Sequence, residues 1–429
     1  MTRAAAVLPR WSNGAPSPLT LASRLVPADN QFMTECAPLK LALVGLGYWG
    51  PNLLRAAAEL DDVEIRAVCD LEPTRLALAR RRDPRVATTT KLQDILDDSS
   101  IDGVLIASPI GTHHDLALRC LRAGKHVFVE KPMAQTSEQC LDLIECATAH
   151  ELILMPGHTF LYSPAVVAIK SMLDRQALGE IYFATATRVN LGIHQNGSNV
   201  IQDLGPHDFS ILHYWLGAPL FVRAIGRDSI VRGEWDVCFV DLGYPTGTLV
   251  RVELSWLAPS KLRRTVLAGR KGMVVYDDTS SDPIKIHDCG VEVVNGQVFG
   301  APRLSYRTGD IISPRVAGDE PLRLELADFV RSVRSGRPPR SDMHLGMEVV
   351  RMVEAAELSL HHSGSAIPLN LPPGEQRLEP DRRRSDHGMP WFDGPTTLAP
   401  PPSSIDRGDT EHRGDTEPDP AAGEPVAGA

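Results

Sequence analysis

The chain has 429 residues, 43% of them hydrophobic, which is enough for two domains with buried cores and flanking tails. A formal net charge of −10, a pI near 5.8 and the lack of a basic block exclude broad attraction to nucleic acid. No apolar run approaches the roughly 18 residues that a membrane span needs.

Seven scattered cysteines, an odd count with no CxxC pair, read as reduced thiols of a cytoplasmic protein. They suggest neither a disulfide framework nor a zinc site, and no metal is expected. Residues 1–37 are rich in Ala, Pro and Ser and lack the apolar core of a secretory signal, so a disordered extension is expected there. Residues 371–429 are Pro-, Gly- and charge-rich and are expected to form a disordered tail.

Between these ends the chain opens on Lys40-Leu-Ala-Leu-Val-Gly-Leu-Gly-Tyr-Trp-Gly50. An apolar strand runs into Gly45-x-Gly47-x-x-Gly50, and Pro51 suits the first turn of the helix that follows. Strand, glycine turn and helix N-terminus in that order form a dinucleotide-binding entrance. The free N–H groups and dipole of that helix suit a pyrophosphate. A second strand, Glu64–Asp70, ends in an acid 20 residues past Gly50. An acid there accepts hydrogen bonds from the ribose hydroxyls and repels a 2′-phosphate, so NAD is preferred to NADP.

Strand and helix then alternate. Pro73–Arg82 reads as a helix, 86–88 as a short strand, Leu92–Asp97 as a helix and Asp102–Ser108 as a buried strand. Thr112–Ala123 is a helix, His126–Pro132 a strand, Ser137–His150 a helix and Glu151–Met155 a strand. This alternation predicts a doubly wound parallel α/β sheet, the Rossmann arrangement, over residues 38–158. Glu130-Lys131-Pro132 lies at the carboxyl end of a strand, where α/β folds place ligands.

From residue 159 to 370 the pattern changes. Ser163–Arg175 is a helix, Gly179–Asn190 has strand composition, and 191–202 reads as a polar loop. Asp203–Leu216 opens on an acid and becomes a helix. Strand-like runs follow at 220–231, 236–243, 247–256, 261–268 and 272–277, and 284–300 reads as a hairpin turning at Asn295-Gly296. Two amphipathic helices, Leu322–Ser335 and His344–His362, close the segment. The expected second domain is α+β with an open, mostly antiparallel sheet.

Asp203 and His207 stand four apart at a helix start, which puts both on one face. Histidine takes a proton near neutral pH, and a nearby carboxylate can orient it.

Several of these pieces together resemble the Gfo/Idh/MocA oxidoreductases. They are Gly-Leu-Gly-Tyr-Trp-Gly (45–50), Thr112-His113, Ala-Gly-Lys-His-Val (123–127), Glu-Lys-Pro (130–132) and Asp203-x-x-x-His207. Further stretches, Gly157–Pro164, Arg188-x-Asn-Leu-Gly192, Asp203–Asp208 and Tyr306–Asp310, are similar to nucleotide-sugar members such as UDP-N-acetylglucosaminuronate 3-dehydrogenases. The resemblance implies a catalytic set of Lys131, Asp203 and His207, with Glu130 holding Lys131. In this reading His207 is the base, Lys131 stabilises the developing charge, and Asp203 orients His207 or holds a neighbouring hydroxyl. Cofactor contacts are expected from Gly45, Gly47, Tyr48, Trp49, Gly50, Asp70, Ser108, Pro109, His113, Glu130 and Lys131. Substrate contacts are expected from Arg188, Asn190, Asn199 and Tyr306. His158 either lines the site or packs. Arg188 either pairs with a carboxylate or diphosphate or lies on an edge strand in water.

The resemblance further implies a homo-oligomer, dimer or tetramer, acting on a small-molecule sugar. The expected reaction is NAD-dependent oxidation of a secondary hydroxyl, at C3, of a nucleotide-linked sugar or uronic acid. The alternatives are a free-sugar or inositol dehydrogenase and a non-catalytic NAD-sensing regulator on the same fold.

Overall fold

The structure, a computed structural model, describes residues 37–192, 197–298, 301–316 and 318–369. The two terminal segments expected to be disordered, Ala37 apart, and residues 193–196 of the polar loop lie outside the described residues.

The first half runs β1 (Leu39–Val44), α1 (Gly50–Ala58), β2 (Val63–Cys69), α2 (Pro73–Arg82), β3 (Ala87–Thr89), α3 (Leu92–Leu96), β4 (Gly103–Ile106), α4 (His113–Arg122), β5 (His126–Glu130), α5 (Ser137–Ala149) and β6 (Leu154–Gly157). Its strands form one parallel sheet of six in the order β3-β2-β1-β4-β5-β6. Every residue of β4 is buried, as expected of a central parallel strand covered on both faces. The chain order reverses between β1 and β4, which opens a crevice at the carboxyl ends of these strands.

The turn after β1 is shaped by its glycines. Gly45 has φ of 96°, and a Cβ there would sit 2.5 Å from the Ala107 carbonyl oxygen. A Cβ on Gly50 would lie 2.1 Å from the Gly45 carbonyl oxygen, so helix α1 starts as close to β1 as backbone allows.

The second half continues with α6 (Pro164–Asp174), β7 (Ile181–Leu191), α7 (Val200–Leu216), β8 (Phe221–Arg227), β9 (Val237–Gly243), β10 (Leu249–Ser255), β11 (Leu257–Gly269), β12 (Met273–Asp277), β13 (Ile284–Val298), β14 (Ala301–Ile312), α8 (Pro321–Ser335), α9 (Met343–His361) and β15 (Ile367–Pro368). Nine strands form a sheet in the order β14-β13-β12-β11-β7-β10-β9-β8-β15, antiparallel except where β7 meets β10. Helices α7 and α9 cover one face: Phe209, Leu212, Val349, Met352 and Leu360 join Ala184, Ala186, Val222, Val240 and Val252 in one core. The other face leaves Phe183, Ile225, Phe239 and Leu249 exposed.

The expected turn at Asn295-Gly296 is corrected. Strand β13 runs on to Val298, which pairs with Ala301, and the register shift between Val294 and Gln297 falls on the Asn-Gly pair. A bulge absorbs those residues, so Tyr306–Asp310 lies inside strand β14.

The packing at Gly50 makes a direct prediction. Gly50→Ala must push α1 off the turn, and we expect a loss of about 1–3 kcal/mol in stability with weakened NADH binding. Thermal denaturation and a fluorescence titration with NADH check it; unchanged affinity would contradict the close-approach reading.

Candidate active site

Asp70 follows β2 directly. Its carboxylate accepts the Leu46 N–H at 2.6 Å and the Glu72 N–H at 2.8 Å, with Arg75 at 3.6 Å. The acid therefore braces the glycine turn from the side where a ribose would lie, and its remaining lone pairs are available to hydroxyls. A Cβ on Gly47 would meet nothing within 4 Å, so the outer side of the turn is open to a ligand.

The crevice widens into a cavity of about 850 Å³. Its walls include Tyr48, Trp49, Ser108, His113, Glu130, Lys131, Phe160, Asp203, His207 and Arg263. All four residues of the catalytic set expected from sequence, Glu130, Lys131, Asp203 and His207, thus converge with the turn on one space. Ser108 bonds Thr112, and Pro109 is exposed beside them. His113 is buried, with Nδ1 2.8 Å from the Pro132 carbonyl and Nε2 2.8 Å from the Ser108 carbonyl. It ties the loop after β4 to the turn after β5. Burial outweighs those two carbonyls and lowers its pKa.

Lys131 is the joint between the two halves. Its Nζ donates to the Asp203 backbone carbonyl at 2.9 Å and lies 3.8 Å from Asp203 Oδ1. Burial lowers its pKa, partly offset by Asp203 and Glu130. Glu130 is held by the Lys131 N–H at 3.3 Å, and its Oε1 has no partner among the described residues. Burial pushes its carboxyl up to about 7, against the pull of Lys131 and the nearby Trp49 indole.

Asp203 sits in the first turn of α7. Its Oδ2 accepts the Trp256 indole N–H at 3.1 Å. Of the two roles expected for Asp203, the geometry does not show it orienting His207: its carboxylate is directed to Lys131 and Trp256. His207 meets Phe160 edge-on instead, with centroids 5.0 Å apart. Burial and the charges of Lys131, Arg188 and Arg263 hold its pKa well below the usual histidine range. His207 is therefore held toward the neutral form that a base requires.

Three expected substrate contacts, Arg188, Asn199 and Tyr306, are placed elsewhere, and His158 takes the packed one of its two readings. Arg188 is buried and its fork is taken by Asp208, Nε on Oδ2 and Nη2 on Oδ1 at 3.3 Å. Asn199 caps α7: its Oδ1 accepts from Ile201 and Gln202, and its Nδ2 donates to Glu357 at 2.6 Å. His158 is packed at 1% exposure beneath the cavity. Tyr306 is 73% exposed on β14, an edge strand outside the cavity wall. Asn190, on β7, has a buried Oδ1 with no partner among the described residues.

Comparison with known proteins decides the family. The model described as "Oxidoreductase family, NAD-binding Rossmann fold" matches residues 39–158, and the Gfo/Idh/MocA C-terminal domain model matches residues 166–275. The chain belongs to the Gfo/Idh/MocA oxidoreductases. Its first half is an NAD-binding Rossmann fold.

Among relatives, an inositol 2-dehydrogenase of Saccharopolyspora erythraea is 28% identical over 50% of this chain and 66% of that enzyme, just under two thirds of its length. A myo-inositol 2-dehydrogenase of Thermotoga maritima is 23% identical over 76% of this chain and 98% of that enzyme. In fold, the chain resembles a levoglucosan dehydrogenase solved with NADH and levoglucosan. The TM-score is 0.67 at 20% identity, covering 78% of this chain and all of that one.

On this Gfo/Idh/MocA scaffold, the residues that sequence reasoning missed are Phe160, Asp208, Trp256, Arg263 and Asp278. Arg188 and Arg263 lie directly opposite each other on β7 and β11, a pairing across 75 residues that no local pattern announces. The Asn199 cap had a signal, since Asn followed three residues later by Gln is a capping box.

His158 also carries a pH signature. Both ring nitrogens lack partners among the described residues, and burial pushes its pKa from 6.5 down to about 3. The unfolded chain takes up a proton below pH 6.5 that the folded chain refuses until about pH 3, so its contribution to stability is full above 6.5 and lost as pH falls through that window. Wild type should therefore lose stability relative to His158→Gln over this range in thermal melts, whereas parallel curves would contradict the burial.

Proposed function

We propose that this chain is an NAD-linked dehydrogenase that oxidises a secondary hydroxyl of a sugar or polyol. The observation that carries the reading is the convergence of Lys131 Nζ, the Asp203 carboxylate and the neutral His207 ring on the cavity that the glycine turn borders. Bound NAD supplies the hydride acceptor. The cradle of Gly45, Gly47 and Gly50, the N-terminus of α1 and the Asp70 carboxylate fit such a dinucleotide.

The chain's own residues supply the proton chemistry. His207 accepts the proton of the reacting hydroxyl. Lys131, held by the Asp203 carbonyl, donates a hydrogen bond to the same oxygen as negative charge develops there. Asp203, through its backbone carbonyl and its side chain, keeps the lysine in place and offsets part of the effect of burial on it. Glu130 anchors the turn from which Lys131 projects.

For substrate, the names of the relatives favour a free polyol of the inositol kind. The narrower reading, C3 oxidation of a nucleotide-linked uronic acid, rests on the Gly157–Pro164 and Asp203–Asp208 stretches. The exposed apolar face of the larger sheet supports a homo-oligomer.

Lys131→Ala and His207→Ala should each lower turnover about 10²–10⁴-fold with little loss of NAD affinity. The assay follows absorbance of reduced cofactor with myo-inositol, free sugars and nucleotide sugars in turn. Wild-type rates in both variants would overturn the catalytic assignment, and NAD binding without turnover of any substrate would favour a sensor.

A further inference from the structure

The cavity wall formed by the larger sheet carries a charge arrangement that the hydride chemistry does not use. Arg188 and Arg263 are direct cross-strand neighbours on β7 and β11. Like charges so placed repel unless each is compensated. Phe160 takes both guanidiniums on its ring, 4.7 Å from Arg188 and 5.5 Å from Arg263. Two carboxylates answer them unequally. Asp208 grips Arg188 through two bonds, and both side chains are buried. Asp278 takes Arg263 through Nη1 alone, at 3.2 Å, and leaves 31% of that side chain exposed.

Arg263 therefore keeps Nε and Nη2 without partners among the described residues, on a wall of the same cavity as Lys131 and His207. The other cations lining that cavity are engaged. Lys131 is held by Asp203, and Arg55 is bound by Glu59 and Glu320. Of the carboxylates that share the wall with them, Asp203 and Glu320 are turned to these same cations: Asp203 lies 3.8 Å from Lys131, and Glu320 binds Arg55.

We propose that Arg263 determines specificity by binding a carboxylate of the substrate, so that the sugar oxidised here is a sugar acid. The guanidinium presents a planar fork, and a carboxylate fills two donors at once as no single hydroxyl does. Phe160 and Asp278 fix the plane of that fork, which leaves little freedom to lose on binding. This rests on the dehydrogenase reading for its location beside His207, and its test is separable from that reading.

The first measurement is calorimetric binding of glucuronate, glucose and glucose 6-phosphate to the NADH-loaded protein. Wild type should prefer glucuronate to glucose by about 10- to 100-fold, the range for a hydrogen-bonded charge. Arg263→Met should abolish that preference while glucose affinity stays within about twofold. Because Asp278 is left unpaired in that variant, Arg263→Lys is measured beside it. It keeps the charge, loses the fork, and should also bind glucuronate more weakly. The second measurement is NAD reduction with the same sugars, where the loss should appear in KM rather than kcat.

Glucuronate preference that depends on Arg263, without turnover of any sugar, would overturn the dehydrogenase reading and leave Arg263 standing. Equal binding of glucuronate and glucose, or equal loss of both in the variants, would overturn the role of Arg263. So would tighter binding of glucose 6-phosphate than glucuronate, which assigns the fork to a phosphate, and so would binding of none of the three.

Discussion

One hydrogen bond holds the working parts of this molecule in relation to each other. The Lys131 ammonium, at the end of a strand of the parallel sheet, donates to the backbone carbonyl of Asp203, in the first turn of a helix that packs on the antiparallel sheet. A side-chain bond to a main-chain carbonyl depends on where the helix starts. The Asn199 cap and its partner Gln202 set that start, and Glu357 on α9 holds the cap. Trp256 then fixes the Asp203 side chain from the sheet below. The ammonium is thus located by three elements besides its own strand.

Electrostatics around this contact are arranged by burial more than by pairing. Desolvation is the first cause of the lowered pKa of Lys131, His158 and His207 and of the raised pKa of Glu130. Partial burial of this kind strengthens each interaction made there. The result is a histidine held in its neutral form beside a lysine whose charge Asp203 and Glu130 support against burial, which suits the removal of one proton and the stabilisation of the oxygen left behind. A carboxyl poised at about 7 in Glu130 adds a group whose charge changes near neutrality, one strand residue before the lysine.

Much of this was legible in the sequence, and the part that was not has a physical reason. The glycine turn, Asp70 and Glu130-Lys131-Pro132 are local: backbone closeness or chain order dictates them, so short patterns reveal them. The alternation of strand and helix, and the later run of strands, was legible for the same reason. Arg188 looked like a ligand because its exposure and its partner Asp208 depend on how β7 packs against α7. Tyr306 was expected at the substrate from the resemblance of the Tyr306–Asp310 stretch, whereas β14 is an edge strand that carries it outside the cavity wall. Phe160, Arg263 and Asp278 meet only once sheet register is set, and register across β7 and β11 is a property of the whole sheet.

The central claim is that the space bounded by Lys131 and His207 is where the hydride and the proton leave the substrate. A crystal structure of the protein with bound NAD tests it most directly. The account predicts that the nicotinamide C4 faces that space, close enough that a carbon held beside His207 lies about 3–3.5 Å from it. A nicotinamide ring turned away from Lys131, or lodged where His207 cannot reach a substrate hydroxyl, would contradict the account.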